Sequence, residues 1–271
     1  MWSDERYRLL KLLGMVAVMF AAIAAAGVGI GVLQQSGAFN AALSWPPALT
    51  KELGLYGLIA AAFGATLIGF FIGLGLFHRK GPGAAFTDGR PFDWDLMFSG
   101  AVLWMVLLIG LAIADGETGA QILRRFNDHD AWSWVILASL GLVVFFVQSG
   151  TEEVVFRGYL QPYLAAWLGS RWIAILLATA MFTVLHLGEI SVWGIASVAL
   201  LGLTLGVATL RAGTIAPAVG LHVSNNWLQV LASPDITNAT VRQQDFQQLI
   251  VLCAIWTMWL LYETSGDRDA N

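Results

Sequence analysis

The chain sets ionisable and amide side chains inside apolar stretches at three points. The first is Ser149-Gly-Thr-Glu-Glu-Val-Val-Phe-Arg157. Glu153 and Arg157 are spaced i, i+4 with the acid first, the better order for an ion pair on one helical face. Glu152 lies about 100° round the helix from Glu153. Arg157 can therefore neutralise one carboxylate while the other points elsewhere. The second point is Phe182-Thr-Val-Leu-His186, with the ring one turn before the imidazole. The third is His222-Val-Ser-Asn-Asn226, with His222 and Asn226 on one face and Asn225 on another.

Taken together these groups suit hydrolysis. Glu152 can take a proton from water as general base and return it to a leaving amine. His186 can hold that water. His222 and Asn226 can donate hydrogen bonds to the developing oxyanion, where charge stabilisation has most effect in a dry site. The same residues admit a second chemistry. Glu152, His186 and His222 make a two-histidine, one-glutamate set that suits a divalent metal such as zinc, with one position left for water. Each group alone also has a plain structural role: an ion pair at a helix end, an interfacial imidazole, polar contacts between helices. Other hydrolytic signatures are missing. There is no HExxH, no Gly-x-Gly-Asp and no Gly-x-Ser-x-Gly. Cys253 reads as a packed thiol, and His78 and His129 as solvated loop residues.

The elements that carry these groups follow from composition. Of 271 residues, 58% are hydrophobic and only 12% charged, with mean hydropathy +0.71. A soluble domain has about twice that charge. Disorder and a disulfide scaffold are excluded by the same composition and by the single cysteine. The net charge of −4 leaves no basic footprint for nucleic acid. The expectation is one all-α domain over 1–271, a polytopic bundle in the lipid bilayer.

A spanning helix needs about 20 apolar residues. Eight runs qualify as candidates: Leu9–Leu33, Leu53–Phe77, Leu96–Ala114, Trp132–Gly150, Trp172–Leu187, Val192–Leu210, Ile215–Leu231 and Phe246–Tyr262. The fourth is expected to continue as one long helix to about Gln161–Pro162, which buries Glu152. With the N-terminus inside, Arg6, Arg8, Lys11, Arg79, Lys80, Arg90, Arg171, Arg211 and Arg268 are inside. Lys51, Arg124, Arg125 and Arg242 are then outside. This bias predicts N-in and C-in. Tryptophans near run ends, such as Trp94, Trp132, Trp167 and Trp172, suit interfacial belts. The first run is expected to be a retained helix, about twice as long as a signal-peptide core. Gly27/Gly31, Gly69/Gly73 and Gly202/Gly206 permit close helix packing.

The three groups resemble, in order, the motifs of the CPBP intramembrane proteases: Glu152-Glu153-x-x-x-Arg157, Phe182-x-x-x-His186 and His222-x-x-x-Asn226. That family includes CAAX prenyl endopeptidases, the Ras-converting enzyme and bacterial Abi proteins. The resemblance covers 149–231, the expected catalytic core. It implies a membrane-embedded protease with a cavity open to the cytoplasm and the bilayer. Carried over, Glu152 and His186 activate water, and His222 and Asn226 form the oxyanion site. Glu153, Arg157 and Phe182 support them. Metal dependence is disputed within the family, and the metal-free mechanism is the expectation here. The substrate expected is a peptide or membrane protein, prenylated or not. The Ala/Gly-rich spans suggest a bacterial inner membrane, with the site facing the cytoplasm. Two other functions compete: a non-catalytic Abi-type scaffold or chaperone, and a proton-coupled transporter.

Overall fold

The computed structural model describes residues 7–35, 47–86, 92–116, 130–187 and 192–232, with 120, 123 and 127. Among these there are helices and turns and no strand. Helix α1 is Arg8–Gln35 and α2 is Pro47–Gly73, which runs on into a π-helical turn, Leu74–His78. A short 3-10 turn, Pro82–Ala85, precedes α3, Trp94–Asp115. Helix α4 is the long Ala131–Leu168. Then come α5, Arg171–Val184, α6, Val192–Ala212, and α7, Ala216–Ala232. The eighth expected run, Phe246–Tyr262, lies outside the described residues, as do His129, Cys253 and the C-terminus.

Five of these helices, α1, α2, α3, α4 and α6, are long and apolar enough to cross a membrane. Among them, α1 to α4 carry exposed Phe20, Ile68, Val106, Ile113 and Val143 on their outward faces. Such a surface suits lipid as solvent and would be a large apolar patch in water. The helix ends have local causes. Asp130 accepts hydrogen bonds from the N–H groups of Trp132 and Ser133, and Asp93 from that of Leu96. Both are N-caps.

The fourth run differs from expectation at its end. The helix does not stop at Gln161–Pro162 but continues to Leu168. Residues Val154–Leu160 are π-helical, and the α pattern resumes at Gln161. Pro162 falls in the first turn of that resumed pattern, where its missing N–H is tolerated. Gly169, in the left-handed region at φ +68°, then ends α4, and Ser170 caps α5. A left-handed glycine followed by a serine cap gives a tight reversal.

The fifth run also needs correction. Its helix is only Arg171–Val184, 14 residues, or about 21 Å, too short to span. Leu185–Leu187, counted in the apolar run, form a turn. The turn between α4 and α5 also sets the depth of the motifs. Glu153 is 15 residues before Leu168, and His186 is 15 residues after Arg171. Two antiparallel helices joined by Gly169–Ser170 therefore bring the motifs to one level, about 20 Å from their turn.

Helix α7 packs along α3 and α4, α2 packs on α1 and α4, and α5 lies between the C-terminal part of α4 and α6. The α3–α7 crossing is close: a Cβ on Gly100 would meet the Pro217 carbonyl oxygen at 2.7 Å, and one on Gly220 would strike the Met97 carbonyl. The main core joins Phe70 and Leu74 of α2, Phe156 and Tyr159 of α4, Ala178 and Phe182 of α5, and Val219 of α7.

Candidate active site

Three elements build the site. Helix α4 supplies Ser149, Glu152, Glu153 and Arg157, with the change from α to π pattern falling between the second and third of the charged groups. A π segment inserts an extra residue per turn and is frequent at functional sites. The end of α5 supplies Phe182 and the turn after it His186. Helix α7 supplies His222, Asn225 and Asn226.

The expected ion pair is present. Arg157 Nη1 donates to Glu153 Oε1 at 3.0 Å, and both side chains are essentially inaccessible. Its Nη2 donates to the Gly202 carbonyl of α6 at 3.1 Å. The guanidinium also lies over the Phe182 ring, 4.6 Å from its centroid, a cation–π contact. Gly202 is the reason the guanidinium fits. A Cβ there would sit 3.0 Å from Thr179 Cγ2 and 3.3 Å from Arg157 Nη2.

Glu153 has a second partner. His222 Nδ1 donates to Glu153 Oε1 at 2.8 Å, which fixes the proton on Nδ1, because the carboxylate oxygen accepts. The other ring nitrogen, Nε2, faces Glu152 Oε2 at 3.4 Å. That oxygen is buried and takes no hydrogen bond from the protein. The two atoms approach without forming a hydrogen bond. Glu153 thus orients His222, and His222 presents Nε2 to Glu152.

His186 joins through Phe182. Its Nδ1 donates to the Phe182 carbonyl at 2.9 Å, so Nε2 carries the lone pair of the neutral ring. The Phe182 ring lies tilted against His186 at 4.8 Å and edge-on to His222 at 5.8 Å. Asn226 is held differently. Its Nδ2 donates to Ser149 Oγ at 3.2 Å, and its Oδ1 accepts from Asn225 Nδ2 at 3.1 Å. Asn225 Oδ1 accepts in turn from Trp104 Nε1 of α3 at 3.1 Å. A hydrogen-bonded line therefore crosses α3, α7 and α4 and fixes which way the Asn226 amide faces.

Glu152, Glu153, Arg157, Phe182, His186 and His222 are thus gathered in one place, with Asn226 tied to α4 one turn before Glu153. Among the described residues no three metal-binding side chains converge closely enough to hold an ion. Sequence reasoning missed Ser149, Asn225, Trp104 and Gly202. Ser149 and Asn225 stand inside the motif segments and Gly202 pairs with Gly206, but nothing in the sequence marks Trp104. It also misplaced His78, which is half-buried and bonded through Nε2 to the Tyr159 hydroxyl at 2.9 Å, because a turn at the end of α2 docks on α4.

Residues 131–228 match the family model described as type II CAAX prenyl endopeptidase Rce1-like. An uncharacterized protein, YyaK of Bacillus subtilis (strain 168), is 24% identical over 147 residues, 52% of this chain and 48% of that protein. The chain spans about half the length of the curated relative it matches. No solved structure matches. The matched segment contains all three motifs and nearly every residue of the cluster, so the likeness to the Rce1-like family falls on the candidate site itself.

Proposed function

We propose that the chain is an intramembrane endopeptidase that hydrolyses a peptide bond by the metal-free glutamate mechanism. The observation that carries this reading is Glu152: a carboxylate whose buried Oε2 has no partner, facing an imidazole nitrogen that a second carboxylate holds in place. A structural ion pair needs one acid. Arg157 already has Glu153, so Glu152 is left for chemistry.

The steps follow from the atoms. Glu152 takes a proton from water as the water oxygen bonds to the substrate carbonyl carbon. The His186 Nε2 lone pair accepts the other water O–H and aims the oxygen. The carbonyl π electrons move to its oxygen, and the oxyanion takes the remaining N–H of Asn226 Nδ2. His222 Nε2 adds a second donor when the ring carries both protons, which Glu152 can supply across the 3.4 Å gap. Collapse breaks the C–N bond, and that proton passes back from His222 to Glu152 and on to the leaving amine. Preorganised donors of this kind act most strongly where water is excluded.

The substrate in this reading is a peptide or membrane protein, prenylated or not. The protein sits in a bacterial inner membrane with the site reached from the cytoplasm. The test compares membrane-peptide proteomes of cells carrying the wild-type protein and Glu152→Gln, which keeps the shape and removes the base. Cleavage should fall by about two to four orders of magnitude. Chelator should leave wild-type cleavage unchanged, and purified protein should hold no stoichiometric metal. Chelator-sensitive cleavage restored by zinc would replace the metal-free mechanism with the metal one. Identical proteomes and phenotypes would favour the scaffold.

A further inference from the structure

Helix α4 brings two adjacent lanes of side chains to the site. Ser149 and Glu153, one turn apart, form the inner lane and are fully buried. Ser149 accepts from Asn226, and Glu153 holds Arg157 and His222. Gln148 and Glu152 form the outer lane, next round the helix, and both are half-buried. Each of these two ends in a buried oxygen that takes no hydrogen bond: Gln148 Oε1 and Glu152 Oε2. Water activation uses Glu152 and leaves Gln148 idle.

An idle amide is costly in an apolar setting. A side-chain amide inside a bundle ordinarily bridges helices, and a buried acceptor left without a donor forfeits its hydrogen bond. Helix α4 cannot supply that donor, because Ala131–Glu153 is regular α-helix and spends its own N–H groups within itself. Gln148 Oε1 therefore asks for an N–H or O–H that arrives from outside the helix. The spacing indicates where such a donor sits. Gln148 and Glu152 are four residues apart on regular helix, a rise of about 6 Å. One atom hydrogen-bonded to both oxygens, about 2.9 Å from each, holds them at most about 6 Å apart. Asn226 is tied to Ser149, the residue after Gln148, so the oxyanion donor stands at the same level of α4.

We infer that Gln148 is a catalytic residue that accepts the N–H of the scissile amide. The inference rests on the proteolytic reading and adds to it the acceptor for the leaving nitrogen. Once water has added to the carbonyl carbon, that nitrogen becomes pyramidal, and its lone pair has to face the proton on Glu152. The nitrogen donates its own N–H to Gln148 Oε1 from the opposite side, which fixes the lone pair in place. Glu152 gives its proton to the lone pair, the C–N electron pair leaves with nitrogen, and the oxyanion pair re-forms the C=O bond. The amine departs with two hydrogens, its own and one from water. The other water hydrogen stays on the new carboxyl group. A bond before proline offers Gln148 no N–H and is a slow substrate.

Replacing the scissile N–H tests this. The probe is the peptide whose cleavage in the membrane-peptide comparison depends on Glu152. It is made once as the peptide and once as the depsipeptide, with –CO–O– in place of the scissile –CO–NH–. Both are cleaved in single turnovers by purified protein in phosphatidylcholine nanodiscs. Gln148→Met keeps the length of the side chain and removes the acceptor. It should slow amide cleavage about 10- to 100-fold, as one lost hydrogen bond to an unpaired partner implies, and ester cleavage by no more than about twofold. Gln148→Asn draws the acceptor back by one methylene and should give a smaller loss with the same selectivity. Equal slowing of amide and ester overturns the inference, since it would mean that Gln148 holds the attacking water or only the helix. Unchanged cleavage of both overturns it as well. If Glu152→Gln abolishes cleavage while Gln148→Met shows no selectivity, the inference fails and the proteolytic reading stands. A comparison that yields no Glu152-dependent peptide sinks the proteolytic reading, and this inference with it.

Discussion

Removing Arg157 tests the frame on which the site depends. Its guanidinium is buried and makes two bonds, to the Glu153 carboxylate at 3.0 Å and to the Gly202 carbonyl at 3.1 Å. Arg157→Met keeps most of the volume and removes both. Hydrogen bonds to charged groups contribute about 1.5–3 kcal/mol each, which gives about 3–6 kcal/mol. Breaking one side of a buried pair costs about 3–5 kcal/mol by a separate route, since it strands the opposite charge. We expect a loss of about 4 kcal/mol from Arg157→Met. The double variant Glu153→Gln, Arg157→Met removes the stranded charge and should recover about half of the loss. Arg157→Lys should fall between, because one ammonium on a flexible stem replaces a planar fork. The assay is denaturant unfolding in a fixed detergent, as a full double-mutant cycle. Unchanged stability in Arg157→Met, or strict additivity in the double variant, would refute the argument that Glu153 and Arg157 stabilise each other.

Two shorter expectations follow from neighbouring geometry. Gly202→Ala puts a methyl 3.0 Å from Thr179 and 3.3 Å from Arg157 Nη2, so it should lower stability by about 1–3 kcal/mol, and a melting curve equal to wild type would count against the close packing of α6. At the start of α4 the Asp130 carboxyl is held below its usual range, first by the Ser133 backbone N–H and then by the Ser133 hydroxyl. Its contribution is therefore present above the ordinary carboxylate range and is lost as pH falls through the lowered value; Asp130→Asn should flatten that acid-side decline in thermal stability, and an unchanged slope would show that the cap does not titrate.

Much of this architecture was legible. Seven of the eight apolar runs coincide with helices in the described residues, because bilayer thickness and 1.5 Å rise leave little choice of element. The Glu153–Arg157 pair followed from i, i+4 spacing, and the convergence of the motifs from their joint expense in an apolar setting. What escaped was set by contacts far apart in the chain. Nothing near Trp104 announces that it donates to Asn225, 121 residues on. The short α5 was hidden because Leu185 and Leu187 are as apolar in a turn as in a helix. The π segment was hidden because its residues, Val154–Leu160, carry no distinct composition.

Those hidden features do more for the chemistry than the visible ones. Ending α5 at Val184 puts His186 in a turn at the level of Glu153. Stopping at Val184 leaves an irregular turn at membrane depth, which is tolerated where protein or water satisfies its backbone. His186 does part of this itself by donating to the Phe182 carbonyl, and in doing so points its other nitrogen outward. Glu153 plays the matching part opposite, fixing His222 by Nδ1 so that Nε2 meets Glu152. Each imidazole is thus oriented through one nitrogen and presents the other. That division needs a second acid whose charge is already balanced, which is why Glu153 comes with Arg157, and Arg157 with a glycine on α6 to make room for it.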